Sequence, residues 1–450
     1  MIKKKIIFFL LSITLFNCSF DHKTGIWDGS KNEERRLAKL EKEQSKNNKE
    51  NIFKVFSSEN LYTQEVLLNE SIILSKPIKT LSWTMSGLNH QNFLGNIYLP
   101  SASINFLKKK VGKNKISLSQ FTFSPLFYND NLLLSDDKGS IFYIDQYGDL
   151  IWKKNIYLKL YKKIHKNLSL SIFDNNIYVS DNIGFIYALD LSTGKTLWVK
   201  NHGVPLKSKI KIFKDKIFLV NQDNRILCLD IKDGTIIWDV RSISSFIKSQ
   251  NLLSLAFGED NSLVVSTTSG EIIKINLANG LVIWSVNISG SSSASSTDFF
   301  QSSDIVIDNN SIFYSTKSLF FSYNLTTGIN NWNEKVNSIA TPIINGKNIF
   351  LITENGYLVI LNKKSGKIIS SSNILTVLKE KHQKTKVTGF IMGSGKIYAV
   401  TFNGFLLVCS ATLGTVESFR KIGHPISSSP IIGNGKMFIY TEKSKVFGFN

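Results

Sequence analysis

Asp190-Leu-Ser-Thr-Gly194-Lys-Thr-Leu-Trp198 is the stretch that decides the fold. Its spacing returns as Asp230, Gly234 and Trp238, as Asn276, Gly280 and Trp284, and as Asn324, Gly328 and Trp332. Two copies keep the turn and lose the aromatic: Asn362, Gly366, Ser370 and Ser410, Gly414, Ser418. Another, Asp145, Gly148 and Trp152, is one residue shorter. Asp or Asn followed four residues on by Gly is turn chemistry, because the side-chain oxygen bonds nearby amides and glycine accepts positive φ. An alternating apolar run (Phe185, Tyr187, Leu189) leads into the turn and a second run ending in Trp leaves it, so each block reads as a hairpin. A large aromatic at a fixed place in every unit can fill the gap between neighbouring units. Trp83, Trp152, Trp198, Trp238, Trp284 and Trp332 are therefore read as structural repeat residues rather than ligand contacts.

The unit extends upstream. Six residues before the Asp/Asn/Ser anchors stand Gly139, Gly184, Gly270, Gly356 and Gly404, with Asn224, Ser318 and Ser444 in the other three units. Twenty residues before them stand Pro125, Leu170, Ile210, Ala256, Asp304, Pro342, Phe390 and Pro430. Two apolar strands fit between these marks, so each unit is four short strands. From Asp145 to Asn450 the mean period is about 44 residues, the length of a four-stranded propeller blade. The eighth unit stops at Asn450, where its fourth strand would begin, and Ile78-Lys-Thr-Leu-Ser-Trp83 supplies a strand ending in Trp near the other end. The expectation is an all-β, eight-bladed β-propeller over 76–450, closed by an N-terminal strand at 78–85 beside 428–450. Closure of this kind removes the sheet edges an open array would expose. Residues 84–123, holding His90 and Lys108-Lys109-Lys110, are then a long surface insertion.

Composition narrows the class. Apolar residues make up 42% of 450 residues, which is neither a disordered chain nor a multi-span membrane protein. Cys18, Cys228 and Cys409 are too few for a disulfide scaffold, and the latter two fall in distant blades, where they read as small core residues. His22, His90, His165, His202, His382 and His424 form no zinc-binding pair, and neither metal nor cofactor is expected. The formal net charge is +20, which favours anionic surfaces or acidic partners, but no basic run interleaved with aromatics suggests a nucleic-acid groove.

The first residues read as an address. Lys3-Lys4-Lys5 precedes an uncharged run, Ile6 to Phe16, too short to span a bilayer, and Asn17-Cys18 follows it. Residues 1–17 are expected to be a lipoprotein signal peptide and Cys18 the lipidated residue. Asn17 departs from the small residue usual before such a cysteine, and the alternative is an ordinary signal with a coincidental cysteine. Lys31 to Glu50 carries seven positive and five negative side chains with three apolar ones, so 18–75 reads as a charged tether.

The D-x3-G-x3-W anchor resembles the quinoprotein-type propeller repeat. With the lipobox-like Cys18 and eight blades in a single domain, the chain resembles the BamB family of outer-membrane assembly lipoproteins over roughly 75–450 plus the signal. The resemblance implies a non-enzymatic scaffold on the periplasmic face of the outer membrane. It implies binding to a POTRA domain of a BamA-like insertase, with unfolded barrel proteins as possible clients. It also implies a docking surface of mid-propeller loops, where Ser303-Asp304 matches a Ser-Asp pair of the family. The family's L-x-L-R stretch has no counterpart: Ser249-Gln-Asn-Leu252-Leu253 lies near its place without the Arg, and Lys248 is the candidate to supply the charge. The repeat itself singles out Asp304, a carboxylate where seven blades carry Pro or an apolar residue. Such a group either seeks a cation or sits exposed at a loose strand start.

Two other readings stay open. The same blades can house pyrroloquinoline quinone in a dehydrogenase. By resemblance to those enzymes that site needs a calcium ion held by Glu, Asn and Asp near the axis, usually with an adjacent Cys-Cys pair, which this chain lacks. The third reading is a periplasmic propeller for peptide or glycan, unconnected with barrel assembly.

Overall fold

The computed structural model describes residues 19–20, 27–28, 62–114, 124–158, 161, 164–242, 252–288, 302–316, 319–336 and 338–450. Within residues 1–60, Ser19–Phe20 pairs antiparallel with Trp27–Asp28. Residues 61–450 form a separate unit built from eight four-stranded antiparallel sheets. Blade 1 runs from Leu126–Tyr128 to Leu150–Asn155, and blade 8 ends the chain with Ile431–Gly433, Lys436–Tyr440 and Lys445–Phe449. The eight-bladed propeller expected from the repeat is what the chain forms.

Strand composition follows position in the blade. Second and third strands are covered on both faces by the neighbouring blades, so they read as continuous apolar runs such as Ile217-Phe-Leu-Val220 and Ile226-Leu-Cys-Leu229, all buried. Outer strands lie at the rim. In Ile236–Arg241 only alternate positions are shielded, and one of these is Trp238.

The anchor motif works across blades. The indole Nε1 of Trp152, Trp198, Trp238, Trp284 and Trp332 donates to the carbonyl just after the next blade's anchor: Leu191, Ile231, Leu277, Leu325 and Lys363, at 2.9–3.2 Å. Each ring lies on the next blade's anchor glycine. At Gly280 a Cβ would stand 2.9 Å from Trp238, and the backbone there has φ +75°. The glycine is thus required both by its left-handed turn and by the ring above it. Asp190 holds the turn by accepting from Thr193 N, Thr193 Oγ1 and Ser192 Oγ, which bring its carboxyl down to about 2.

Ring closure uses an N-terminal strand, but not the expected one. The outer strand of blade 8 is Asn105–Lys110, paired antiparallel with Lys445–Phe449. Leu107 faces Gly448 as Trp198 faces Ala188, with a bulge at the same step, so Leu107 holds the tryptophan's place. Its side chain rests on Gly148 of blade 1, as each Trp rests on the next glycine. The closing strand is therefore 105–110 and not 78–85, because Trp does not mark it. Trp83 is buried elsewhere, bridging Phe127 of blade 1's inner strand. The 84–123 surface insertion is corrected on the same ground: 105–110 closes the ring, and 84–99 enters the centre of the molecule.

The propeller's own contacts begin at Tyr62 rather than at residue 76. Val66 exchanges two backbone hydrogen bonds of 2.9 Å with Ser371 on the outer strand of blade 6. Tyr62 is buried and its carbonyl accepts from Asn355 Nδ2.

Candidate functional site

In a propeller the inner strands of all blades surround the axis, and here that space is filled by the chain itself. Ser75 bonds Asn345 of blade 6 through its N–H and its hydroxyl. The Thr80 carbonyl accepts from Asn434 N of blade 8 at 2.7 Å. Trp83 pairs with Phe127 of blade 1, and the Thr84 carbonyl takes Ile172 N of blade 2 at 2.7 Å. His90 Nε2 donates to the Ile212 carbonyl of blade 3 at 2.7 Å, while the His90 and Gln91 carbonyls accept from Phe257 N of blade 4 and Ile307 N of blade 5. Ile97 bonds Met392 and Ser394 of blade 7. Residues 75–97 thus hydrogen-bond to all eight blades and seal the axis as a plug.

Lys211, the first residue of blade 3's inner strand, fixes the plug. It is fully buried, and its Nζ donates to Ser86 O at 2.8 Å, Asn89 O at 2.7 Å and Asn92 Oδ1 at 2.7 Å. Three acceptors for three ammonium protons satisfy the group. Burial brings its pKa down to about 7; Asp304 opposes that shift and Lys209 adds to it. Asn92 turns its amide the other way, to Leu255 O at 3.0 Å and Ile305 O at 2.7 Å, so one side chain links blades 3, 4 and 5. Burial also lowers the pKa of His90, whose ring lies edge-on to Phe213 and Phe257.

Asp304 finds its cation inside the molecule. Lys209 Nζ reaches Asp304 Oδ2 at 2.7 Å and Thr341 Oγ1 donates to the same oxygen at 2.9 Å. Burial works against the carboxylate, yet the charge and hydrogen bond of Lys209, with the Thr341 bond, hold it below the usual carboxylate range. The side chain is 14% exposed, so it is a tie between blades 3, 5 and 6 rather than a loose strand start. Ser303 is buried: it accepts from Ser315 N at 3.0 Å and donates to the Asp304 carbonyl at 2.9 Å. The structure brings these two together but gives both internal partners. Lys248 and Cys18 lie outside the described residues.

Lys211, Asn92 and Asn345 were not singled out from the sequence. A signal was present: no Asp, Glu, Lys or Arg occurs between Lys79 and Lys108, which is unusual for a solvated insertion in a chain with 20% charged residues. Cys228 and Cys409 are buried in blades 3 and 7, and burial pushes both thiols up to about 12. Among the described residues no three His, Cys, Asp or Glu side chains gather into a metal-binding group.

The family model described as outer membrane protein assembly factor BamB matches residues 137–372. A protein of that name from Shewanella oneidensis is 26% identical over 244 residues, covering 47% of this chain and 59% of the relative, so the match spans less than two thirds of that relative's length. The crystal structure of BamB from Moraxella catarrhalis superposes with a TM-score of 0.60 at 12% identity, over 76% of this chain and 99% of that one. Quinohemoprotein alcohol dehydrogenase from Comamonas testosteroni gives 0.66 at 11% identity, over 83% of this chain and 81% of the other. At such identities the structural matches establish the propeller fold alone.

Proposed function

Because the chain belongs to the family of outer membrane protein assembly factor BamB, we propose that it is a non-enzymatic scaffold of outer-membrane protein assembly. In this reading it is lipid-anchored through Cys18 on the periplasmic face of the outer membrane. It binds a POTRA domain of a BamA-like insertase and assists folding and insertion of barrel proteins. The observation that carries the reading is the plug. A quinone enzyme needs the axial space for its cofactor, and here the plug bonds all eight blades across that space, with Lys211 and Asn92 spending their hydrogen-bonding capacity on holding it. The blade architecture is shared with dehydrogenases, whereas the filled axis suits a rigid body that works through its surface.

The test is capture of tagged full-length protein from its native envelope in mild detergent, with mass spectrometry of what accompanies it. A POTRA-bearing insertase, recovered stoichiometrically, supports the scaffold reading. Its absence, or quinone-dependent dye reduction by the purified chain, overturns it.

A further inference from the structure

One face of the ring carries the hairpin turns that join inner to second strands, and these turns are not alike. In blades 1–5 every such turn holds an acid: Asp130, Asp174, Asp215 between Lys214 and Lys216, Glu259 with Asp260, and Asp308, which pairs with Lys363 at 2.8 Å. In blades 6–8 none does. They read Asn345-Gly-Lys347, Gly393-Ser-Gly-Lys396 and Gly433-Asn-Gly-Lys436. The residues that flank the plug on either side lie on these three turns. The Ile73 carbonyl approaches Gly346, Leu74 lies against Gly395, and Tyr98 and Pro100 lie against Gly435, where larger residues would push the segment away.

The plug and its flanking residues present a particular chemistry outward at that place. Ile73, Ile78 and Leu81 are 77%, 66% and 64% exposed, Tyr98 is exposed beside them, and Lys76 and Lys79 stand between. Ile78 and Tyr98 are held side by side by the bond from Tyr98 N to Ile78 O, and Asn96 Nδ2 ties the neighbouring turn to Ser75 O. No acid occurs from Ser71 to Asn114. Glu417, on the outer strand of blade 7, is paired with Lys396 of the blade 7 turn at 2.7 Å.

We propose that this sector, over blades 6–8, is a contact surface for an anionic phospholipid bilayer. Exposed aliphatic tips spaced by lysines along an extended segment match what a bilayer offers, because aliphatic tips enter the acyl boundary while ammonium groups meet phosphates and a tyrosine sits at headgroup depth. Charge complementarity selects anionic lipid, and Asp130, Asp174 and Glu259, on turns without a lysine of their own, disfavour the same contact elsewhere on the face. The ring therefore leans on one sector. This inference rests on the exposed plug and not on the scaffold reading, and lipidation of Cys18 is not required for it.

The test uses the full chain with Cys18→Ser, so that no lipid anchor forms, in co-sedimentation with vesicles of phosphatidylglycerol and phosphatidylethanolamine or of phosphatidylcholine alone. All variants share that background, so any contribution of the N-terminus cancels. Each lysine near an anionic surface is worth about fivefold in partitioning, so Lys76→Glu with Lys79→Glu lowers binding to the anionic vesicles by more than about tenfold. Ile73→Ser with Ile78→Ser and Leu81→Ser lowers it on both vesicle types. Lys108→Glu with Lys110→Glu, exposed on the closing strand, leaves it unchanged. The substituted side chains are exposed, and unchanged circular dichroism melting confirms that the ring is intact. Wild-type binding by the plug variants overturns the proposal, as does an equal loss in the closing-strand variant. So does a photo-crosslinker at Leu81 that captures protein and no lipid in the native envelope.

Discussion

Gly280→Ala tests whether the anchor glycine serves only its own turn or also receives the neighbouring tryptophan. At position 280 the new Cβ would stand 2.9 Å from two ring atoms of Trp238, on a backbone with φ +75°. At Gly414 the backbone is nearly the same, φ +70°, but the residue above is Ser370 and the nearest atom lies 3.4 Å away. Both substitutions place an L side chain in the left-handed region, costing about 1–2 kcal/mol, partly offset by the reduced freedom of the unfolded chain. Gly414→Ala should cost about 1 kcal/mol. Gly280→Ala must also displace a packed ring, about 1–3 kcal/mol, and strain the 3.1 Å bond from Trp238 Nε1 to Leu277 O, about 1 kcal/mol. The sum is about 3–5 kcal/mol. Trp238→Ser copies what blades 6 and 7 carry, and in that background Gly280→Ala should fall back to about 1 kcal/mol. Urea unfolding followed by circular dichroism, as a double-mutant cycle, reads the difference as a coupling of about 2 kcal/mol or more. Equal costs at 280 and 414, or no coupling to Trp238, would refute the docking account.

Three further outcomes follow from the same structure. Leu107→Asp should destabilise by at least about 3 kcal/mol, the scale of losing a buried leucine, and deletion of 105–110 should expose Lys445–Phe449 and cause concentration-dependent association in light scattering; a monomeric, normally melting deletion would refute closure at this strand. Lys211→Met leaves Ser86 O, Asn89 O and Asn92 Oδ1 without their donor. The folded pKa of Lys211, about 7, lies below the ordinary lysine value, so the unfolded chain binds the extra proton between the two, and wild type gains stability relative to Lys211→Met as pH rises from 7 to 9.5, by up to about 3 kcal/mol in urea midpoints; a constant gap would place the amine in water. Asp304→Asn should cost about 1–3 kcal/mol at pH 7 by leaving Lys209 without its counter-charge. Because the Asp304 pKa is lowered by folding, that cost is present above the ordinary carboxylate value and fades as pH falls through the folded one, and insertase capture by the variant should equal wild type.

The blade pattern was legible because it is local chemistry repeated: an Asp or Asn, a glycine four residues on and a tryptophan occupy fixed offsets, and each has a physical partner in the next blade. The closing strand was not legible by that route, because Leu107 does with aliphatic packing what the other blades do with an indole. What marked it instead was weak, an alternation ending in Lys108-Lys109-Lys110. Asp304 stands out in the sequence as a carboxylate where the other blades carry Pro or an apolar residue, which leaves a buried cation and a loose strand start both open. Which cation it meets depends on Lys209, 95 residues away, and no spacing within one blade carries that information. The plug was missed because a segment bonded through its carbonyls and amides needs no periodic pattern; its trace in the sequence is the lack of charge from Thr80 to Leu107.

That trace has a physical cause in the axis of the ring. Eight inner strands leave polar backbone and side-chain groups facing an axis, and those groups need partners wherever water is excluded. In the propeller described here a single segment supplies them: Asn92 answers two carbonyls, Lys211 answers three oxygens of the plug, and His90 answers Ile212. A bound cofactor could meet the same demand only by displacing these bonds together, because Asn92 and Lys211 bond each other at 2.7 Å as well as the strands around them. Filling the axis with chain rather than ligand ties the blades to one another through a segment that precedes them in sequence. It also brings Ile73 to Leu81 out onto the face of the ring, where the plug that stiffens the body becomes its surface.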